Sequence, residues 1–270
     1  MLERFSRLPR ALAERARTVQ LGGEVPALVA HPDADWGFPA PVVVWMHGRT
    51  AHKELDAGRY LRWIRAGVGA CAIDLPGHGE RAIPGWDRPE HTLDVLSQAM
   101  TEIDAVVTEL VRGEFAGAFD GARLGVGGMS AGGMAALRRL CDPHPFRCAA
   151  VEATTGALAL MYRSEDRPWA VRHDPDRIDE LDPMRHLESF EPLPLLAMHS
   201  RADQLVPWSA QEAFLDALAG HYRDEGADAG LIEVVTWPET GAEREHMGFG
   251  RQSNESKNIQ TDFLQRRLKS

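Results

Sequence analysis

The feature that most constrains this 270-residue chain is a recurring unit, a short apolar run followed by a longer amphipathic stretch. The runs lie at Pro41–Met46, Gly69–Ile73, Arg123–Gly127, Cys148–Glu152, Leu193–Met198 and Leu231–Thr236. Their apolar residues fall on consecutive positions, as expected of strands buried on both faces. Helical patterns occupy the intervals at about 55–66, 92–112, 130–141 and 208–220, with a last one near 254–268. Such alternation predicts an α/β protein, a mostly parallel sheet with helices on both faces. Upstream, Arg17–Ala30, with Gly22 and Gly23 at its centre, predicts an antiparallel hairpin on the sheet edge. The rhythm breaks once, over residues 153–192, which are too many for a simple crossover. A small cap inserted over the site in an otherwise single domain, 1–270, is the expected arrangement.

Composition removes several classes of function. The formal net charge is −10, so the average field repels a phosphate backbone and no nucleic-acid partner is expected. No apolar run approaches the roughly twenty residues of a membrane-spanning helix, so no membrane partner is expected either. The first residues alternate Arg and Glu with Leu and Phe, unlike a secretory leader, and predict a short amphipathic helix started or interrupted at Pro9. Cys71, Cys141 and Cys148 are too few and too scattered for a disulfide framework and read as small buried apolar residues in a cytoplasmic protein. Eleven histidines occur without metal-ligand spacing, and neither a metal nor another cofactor is expected. The His173, Asp174 and Asp176 cluster reads as a polar cap loop. A homodimer is compatible with the chain, whose oligomeric state the sequence leaves open.

Chemistry enters at Gly128-Met129-Ser130-Ala131-Gly132, a G-x-S-x-G sequence between a strand run and a helix whose apolar positions are Met134, Leu137 and Leu140. That setting suits a nucleophile elbow, in which glycines remove side chains that would collide in the sharp turn. The competing reading is a glycine-rich anion-binding turn at a helix N-terminus. A serine hydroxyl needs a base to take its proton, and the base needs an orienting acid. Asp203 and His246 follow Ser130 in chain order, each just beyond its own strand run. Glu152 competes with Asp203 as the acid, and could instead orient substrate or form a salt bridge within the cap. The oxyanion of an acyl-transfer intermediate needs two aimed N–H donors. The backbone amides of Ala131 and of Arg49, where Gly48 lets the chain turn, are the candidates. Met161, Tyr162 and Trp169, beside Leu158, either line a pocket for the acyl group or form the cap's own core. Trp45 and Trp63 are assigned to packing.

With His47-Gly48, Asp74-Leu75-Pro76-Gly77-His78-Gly79, the elbow at Ser130, His199 to Asp203 with Val206-Pro207, and His246, the chain resembles the α/β-hydrolases from about residue 24 onward. Within that superfamily it is most similar to the dienelactone-hydrolase and prolyl-oligopeptidase-like group of single-domain bacterial esterases. The resemblance implies that Asp74, Gly77, His78 and Gly79 shape structure rather than perform chemistry. It also implies a serine hydrolase that takes small carboxylic esters as its partner. Amide or peptide hydrolysis, or acyl transfer, by the same triad remains open, as does a non-catalytic ligand-binding protein on the same fold.

Overall fold

The computed structural model describes residues 8–163 and 171–269. Eight strands form one sheet: β1 (Ala16–Leu21), β2 (Val25–Ala30), β3 (Ala40–Met46), β4 (Gly69–Ile73), β5 (Phe119–Met129), β6 (Phe146–Glu152), β7 (Leu195–Ser200) and β8 (Ile232–Trp237). Their order is β1-β2-β4-β3-β5-β6-β7-β8, antiparallel at β1/β2 and β2/β4 and parallel elsewhere. The hairpin and the six apolar runs thus occur as expected, with ends displaced by a few residues. The largest displacement is β5, which starts at Phe119 because Ala40 pairs with that residue beside a register shift.

The helices are α1 (Arg10–Ala13), α2 (Ala57–Arg65), α3 (Thr92–Arg112), α4 (Ala131–Arg139), α5 (Leu158–Tyr162), α6 (Pro175–Leu181), α7 (Trp208–Asp224) and α8 (Ser253–Leu268). Alternate strand residues feed two apolar layers. Val42, Val44 and Met46 of β3 face one way, with α3, α4 and α7. Val43 and Trp45 face the other, with α1, α2 and α8. Trp45 meets Trp63 edge-on at 5.6 Å, so both tryptophans do pack. All three cysteines are buried free thiols.

Between β6 and β7, helices α5 and α6 lie on the first layer. Leu158, Met161, Ile178 and Leu181 join the main apolar cluster rather than a separate small core. Asp174 caps α6 by accepting from the Asp176 N–H at 2.9 Å. No helix among the described residues is long and apolar enough to cross a membrane. Strand β8 closes one rim of the sheet, half-buried along most of its length, with Val234 46% exposed. Glu233 ties it to α8 through Arg266 at 2.8 Å and Arg267 at 2.9 Å.

Two loops at the C-terminal edge of the sheet are joined by a buried ion pair. Lys53, beyond β3, places Nζ 2.9 Å from Asp74 Oδ2, beyond β4, and 2.6 Å from Glu80. Asp74 also accepts from the Lys53 and Glu80 amides at 2.8 and 3.0 Å. Burial pushes the Asp74 carboxyl up, but the Glu80 and Lys53 amides and the Lys53 ammonium outweigh it and hold the group well below the usual range. Lys53 and Asp74 side chains are both fully buried, so removing one charge strands the other. Lys53→Met is expected to lower unfolding stability in urea by about 3–5 kcal/mol, and adding Asp74→Asn to recover part of that loss.

Candidate active site

Strand β5 ends at Met129 and α4 begins at Ala131, which forces the turn onto Ser130 with φ 52° and ψ −119°. A non-glycine residue holds such a conformation only where its surroundings enforce it. Here they do. A Cβ on Gly132 would stand 2.4 Å from the Met46 carbonyl oxygen, and one on Gly128 would stand 2.5 Å from the Gly132 carbonyl carbon. Both obstacles are backbone, so neither position admits a side chain. The Ser130 N–H donates to the Glu152 carbonyl at 2.9 Å, and the Ser130 carbonyl accepts from the Thr154 hydroxyl at 2.8 Å.

Ser130 Oγ lies 3.0 Å from His246 Nε2, and His246 Nδ1 lies 2.7 Å from Asp203 Oδ2. The other Asp203 oxygen accepts from the Leu205 and Val206 amides, each at 2.8 Å. The carboxylate is therefore held by two N–H dipoles on one oxygen and the imidazole on the other. His199 stands 3.5 Å away and donates instead to the Val206 carbonyl at 2.9 Å. Burial pushes its pKa down, so it adds no competing charge. The three residues named from the sequence come from three separate loops at one sheet edge, the face where parallel α/β sheets carry their sites.

The amides of Ala131 and Arg49 have no hydrogen-bond partner among the described residues, and both residues line the cavity onto which Ser130 opens. His47 explains the second. Its Nε2 accepts from the Leu75 amide at 3.0 Å, which leaves Nδ1 as the donor to the Gly48 carbonyl at 2.7 Å. Within one peptide unit C=O and N–H point oppositely, so fixing the Gly48 carbonyl fixes the direction of the Arg49 N–H. The cavity measures about 450 Å³. Met161 and Tyr162 of α5 line it, with Thr92, Met134, Leu55, Tyr60 and Lys257. Trp169 lies outside the described residues.

Glu152 requires a correction. Its carboxylate does not line the cavity and makes no salt bridge within the cap. It lies behind the cavity, 1% exposed, clamped by Arg59 of α2 and by Gln260 of α8 at 3.2 Å. Burial pushes its pKa up while Arg59 pulls it down. The guanidinium also stacks 4.5 Å over the Trp45 ring. A carboxylate so committed neither orients substrate nor replaces Asp203.

Glu245 was missed in the sequence. It accepts from Ser200 Oγ at 2.8 Å, from the Thr240 amide and hydroxyl at 2.6 and 2.9 Å, and from the Gly241 amide at 2.7 Å. It thereby anchors the His246 loop, where Arg244 and Glu245 themselves have φ of 52° and 54°. The available signal was a carboxylate beside the candidate base with Thr240-Gly241 just upstream, but hydrogen bonds of this kind have no periodicity to read. Burial opposes ionisation of Glu245, but the Thr240, Ser200 and Gly241 donors outweigh it and lower its pKa from 4.5 to about 2. A depressed folded-state pKa contributes stability above the unfolded value that is lost as pH falls through the folded one. Urea midpoints of the protein and of Glu245→Gln should therefore converge as pH falls from 4.5 to about 2.

Residues 97–270 match the family model described as the prolyl oligopeptidase family. Esterase YjfP of Escherichia coli (strain K12) is 27% identical over 212 residues, covering 75% of this chain and 84% of that protein. The crystal structure of TT1662 from Thermus thermophilus superposes with a TM-score of 0.71 at 24% identity, covering 95% of this chain and 98% of that one. A puromycin-hydrolyzing peptidase from Mycobacterium tuberculosis gives a TM-score of 0.71 at 21% identity, and its match covers 97% of this chain but 42% of that one.

Proposed function

The chain belongs to the prolyl oligopeptidase family and has the α/β-hydrolase fold, and from that premise we propose that it hydrolyses small carboxylic esters through an acyl-enzyme on Ser130. The observation that carries this reading is the unbroken line of contacts from Ser130 Oγ through His246 to Asp203, 3.0 and 2.7 Å long, opening on one cavity. Its likeness to an esterase over three quarters of its length supports the ester as the bond cleaved.

His246 Nε2 takes the Ser130 proton as Oγ attacks the ester carbonyl. Asp203 holds the imidazole with Nδ1–H towards itself and stabilises the imidazolium that forms. The Ala131 and Arg49 amides receive the negative charge on the carbonyl oxygen, and each such donor typically contributes about 3–4 kcal/mol of transition-state stabilisation. His246 then gives the proton to the departing alkoxide, and the alcohol leaves. Water, deprotonated by the same nitrogen, attacks the acyl-enzyme and releases the acid, which restores Ser130. Every step uses groups of this chain and water, and the reading requires no cofactor.

The modest cavity supports short acyl groups, and three buried unpaired cysteines support a cytoplasmic setting. The partner is then a small-molecule ester, with neither nucleic acid nor membrane involved. Ser130→Ala should lower kcat on p-nitrophenyl butyrate by about 10⁴-fold or more, and Asp203→Asn by about 10⁴-fold, with folding unchanged by circular dichroism. A fluorophosphonate probe should label the native protein and not Ser130→Ala. Undiminished turnover by Ser130→Ala would refute the assignment. Faster cleavage of aminoacyl nitroanilides than of any p-nitrophenyl ester from acetate to palmitate would replace it with amide hydrolysis.

A further inference from the structure

The ionised side chains on the cavity wall do not balance. Those lining it are Arg49, Asp56, Arg59 and Lys257. Arg59 is neutralised from behind by Glu152, with Nη2 2.8 Å from Oε2. Lys257 lies 3.4 Å from Asp56, which also faces Arg59 Nε at 3.3 Å. Two cations and two carboxylates therefore compensate one another. Arg49 has no carboxylate within 4 Å among the described residues, in a chain whose net charge is −10. Among the described residues, its one side-chain hydrogen bond runs from Nη1 to the neutral main-chain carbonyl of Asp87 at 2.7 Å. That bond leaves the Nε–H and Nη2–H edge whole, two parallel donors at the spacing of a carboxylate.

The surroundings say where this edge acts. Arg49 and Tyr162 both line the cavity, and the charge of Arg49 opposes the burial that pushes the Tyr162 hydroxyl up to about 12. Met134 and Met161 line the same cavity and offer an apolar surface for a short carbon spacer. A single positive charge matches a monoanion. A phosphomonoester, at about −1.5 to −2 near pH 7, would leave the cavity charged.

We propose that the Arg49 side chain determines specificity by binding a carboxylate remote from the scissile bond, so that the preferred substrates are half-esters of short dicarboxylic acids or esters of short hydroxy acids. The inference rests on the ester-hydrolase reading above. Because the Arg49 amide receives the carbonyl oxygen while its guanidinium receives the remote carboxylate, one residue gauges the distance between them, and the spacer is a few carbon atoms.

The test compares kcat/KM for ethyl hydrogen glutarate with its carboxamide counterpart, and for 4-acetoxybutanoate with 4-acetoxybutanamide, by pH-stat at low salt. The first pair places the carboxylate on the acyl side and the second on the alcohol side. In the native protein at least one carboxylate should be preferred about tenfold or more, Arg49→Gln should abolish that preference, and Arg49→Lys should keep part of it. Parity in the native protein, or a preference that survives in Arg49→Gln, would overturn the proposal. Should Arg49→Gln fail to fold, inhibition of the native protein decides. Glutaramate, which keeps one carboxylate, should then compete about tenfold more tightly than the diamide glutaramide, and equal inhibition would overturn the proposal. Failure of the native protein to cleave p-nitrophenyl butyrate would remove the ester-hydrolase reading itself, and this inference with it.

Discussion

The approach of Gly132 to the main chain of β3 is the constraint from which the site follows. Only a residue without a side chain lets α4 start so close to the Met46 carbonyl, and only that start forces Ser130 to a positive φ. Strain of this kind costs about 1–3 kcal/mol at one residue. It is offset by β5, whose Leu124–Gly128 segment is buried between parallel neighbours on both sides. The same approach sets the Ala131 amide beside the loop that carries Arg49. One backbone contact thus positions the nucleophile and the first of the two amides together.

Beneath the reacting groups lies a layer of charge that performs no chemistry. Lys53 with Asp74 joins the loops after β3 and β4, while Arg59 with Glu152 and Gln260 joins α2, β6 and α8. Such pairs are costly to desolvate and add little net stability over apolar packing, but each becomes severe to break because the survivor is stranded. Their value here is geometric. They oppose sliding of loops that must hold separate groups within hydrogen-bond reach.

The sheet was legible because buried parallel strands write themselves as apolar runs, and α3 because its 92–112 pattern has a full helical period. Ser130, Asp203 and His246 were legible because each follows such a run, so the strands located the loops and the loops located the residues. Glu152 was misplaced for a related reason. Its position at the end of β6 was read correctly, but whether a carboxylate there faces a cavity or a buried arginine depends on Arg59, more than ninety residues upstream and unmarked by any pattern. Lys53 and Glu245 escaped for the same cause, since polar contacts between distant loops have no repeat. In the interval 153–192, Leu158 and Ile178 belong to the main core, a placement that an interval without strands has no pattern to reveal.

The strand that leads to the imidazole is also an edge strand. β8 has a neighbour on one side only, is half-buried over most of its length, and is fastened to α8 by the Glu233 pairs with Arg266 and Arg267. Rim strands open first when a sheet is warmed, with much less free energy than global unfolding requires. The proton acceptor consequently follows an edge strand while the nucleophile follows a central one. Heat should silence such a molecule by peeling before it melts, and its endurance can be engineered along a margin remote from the bond it cuts.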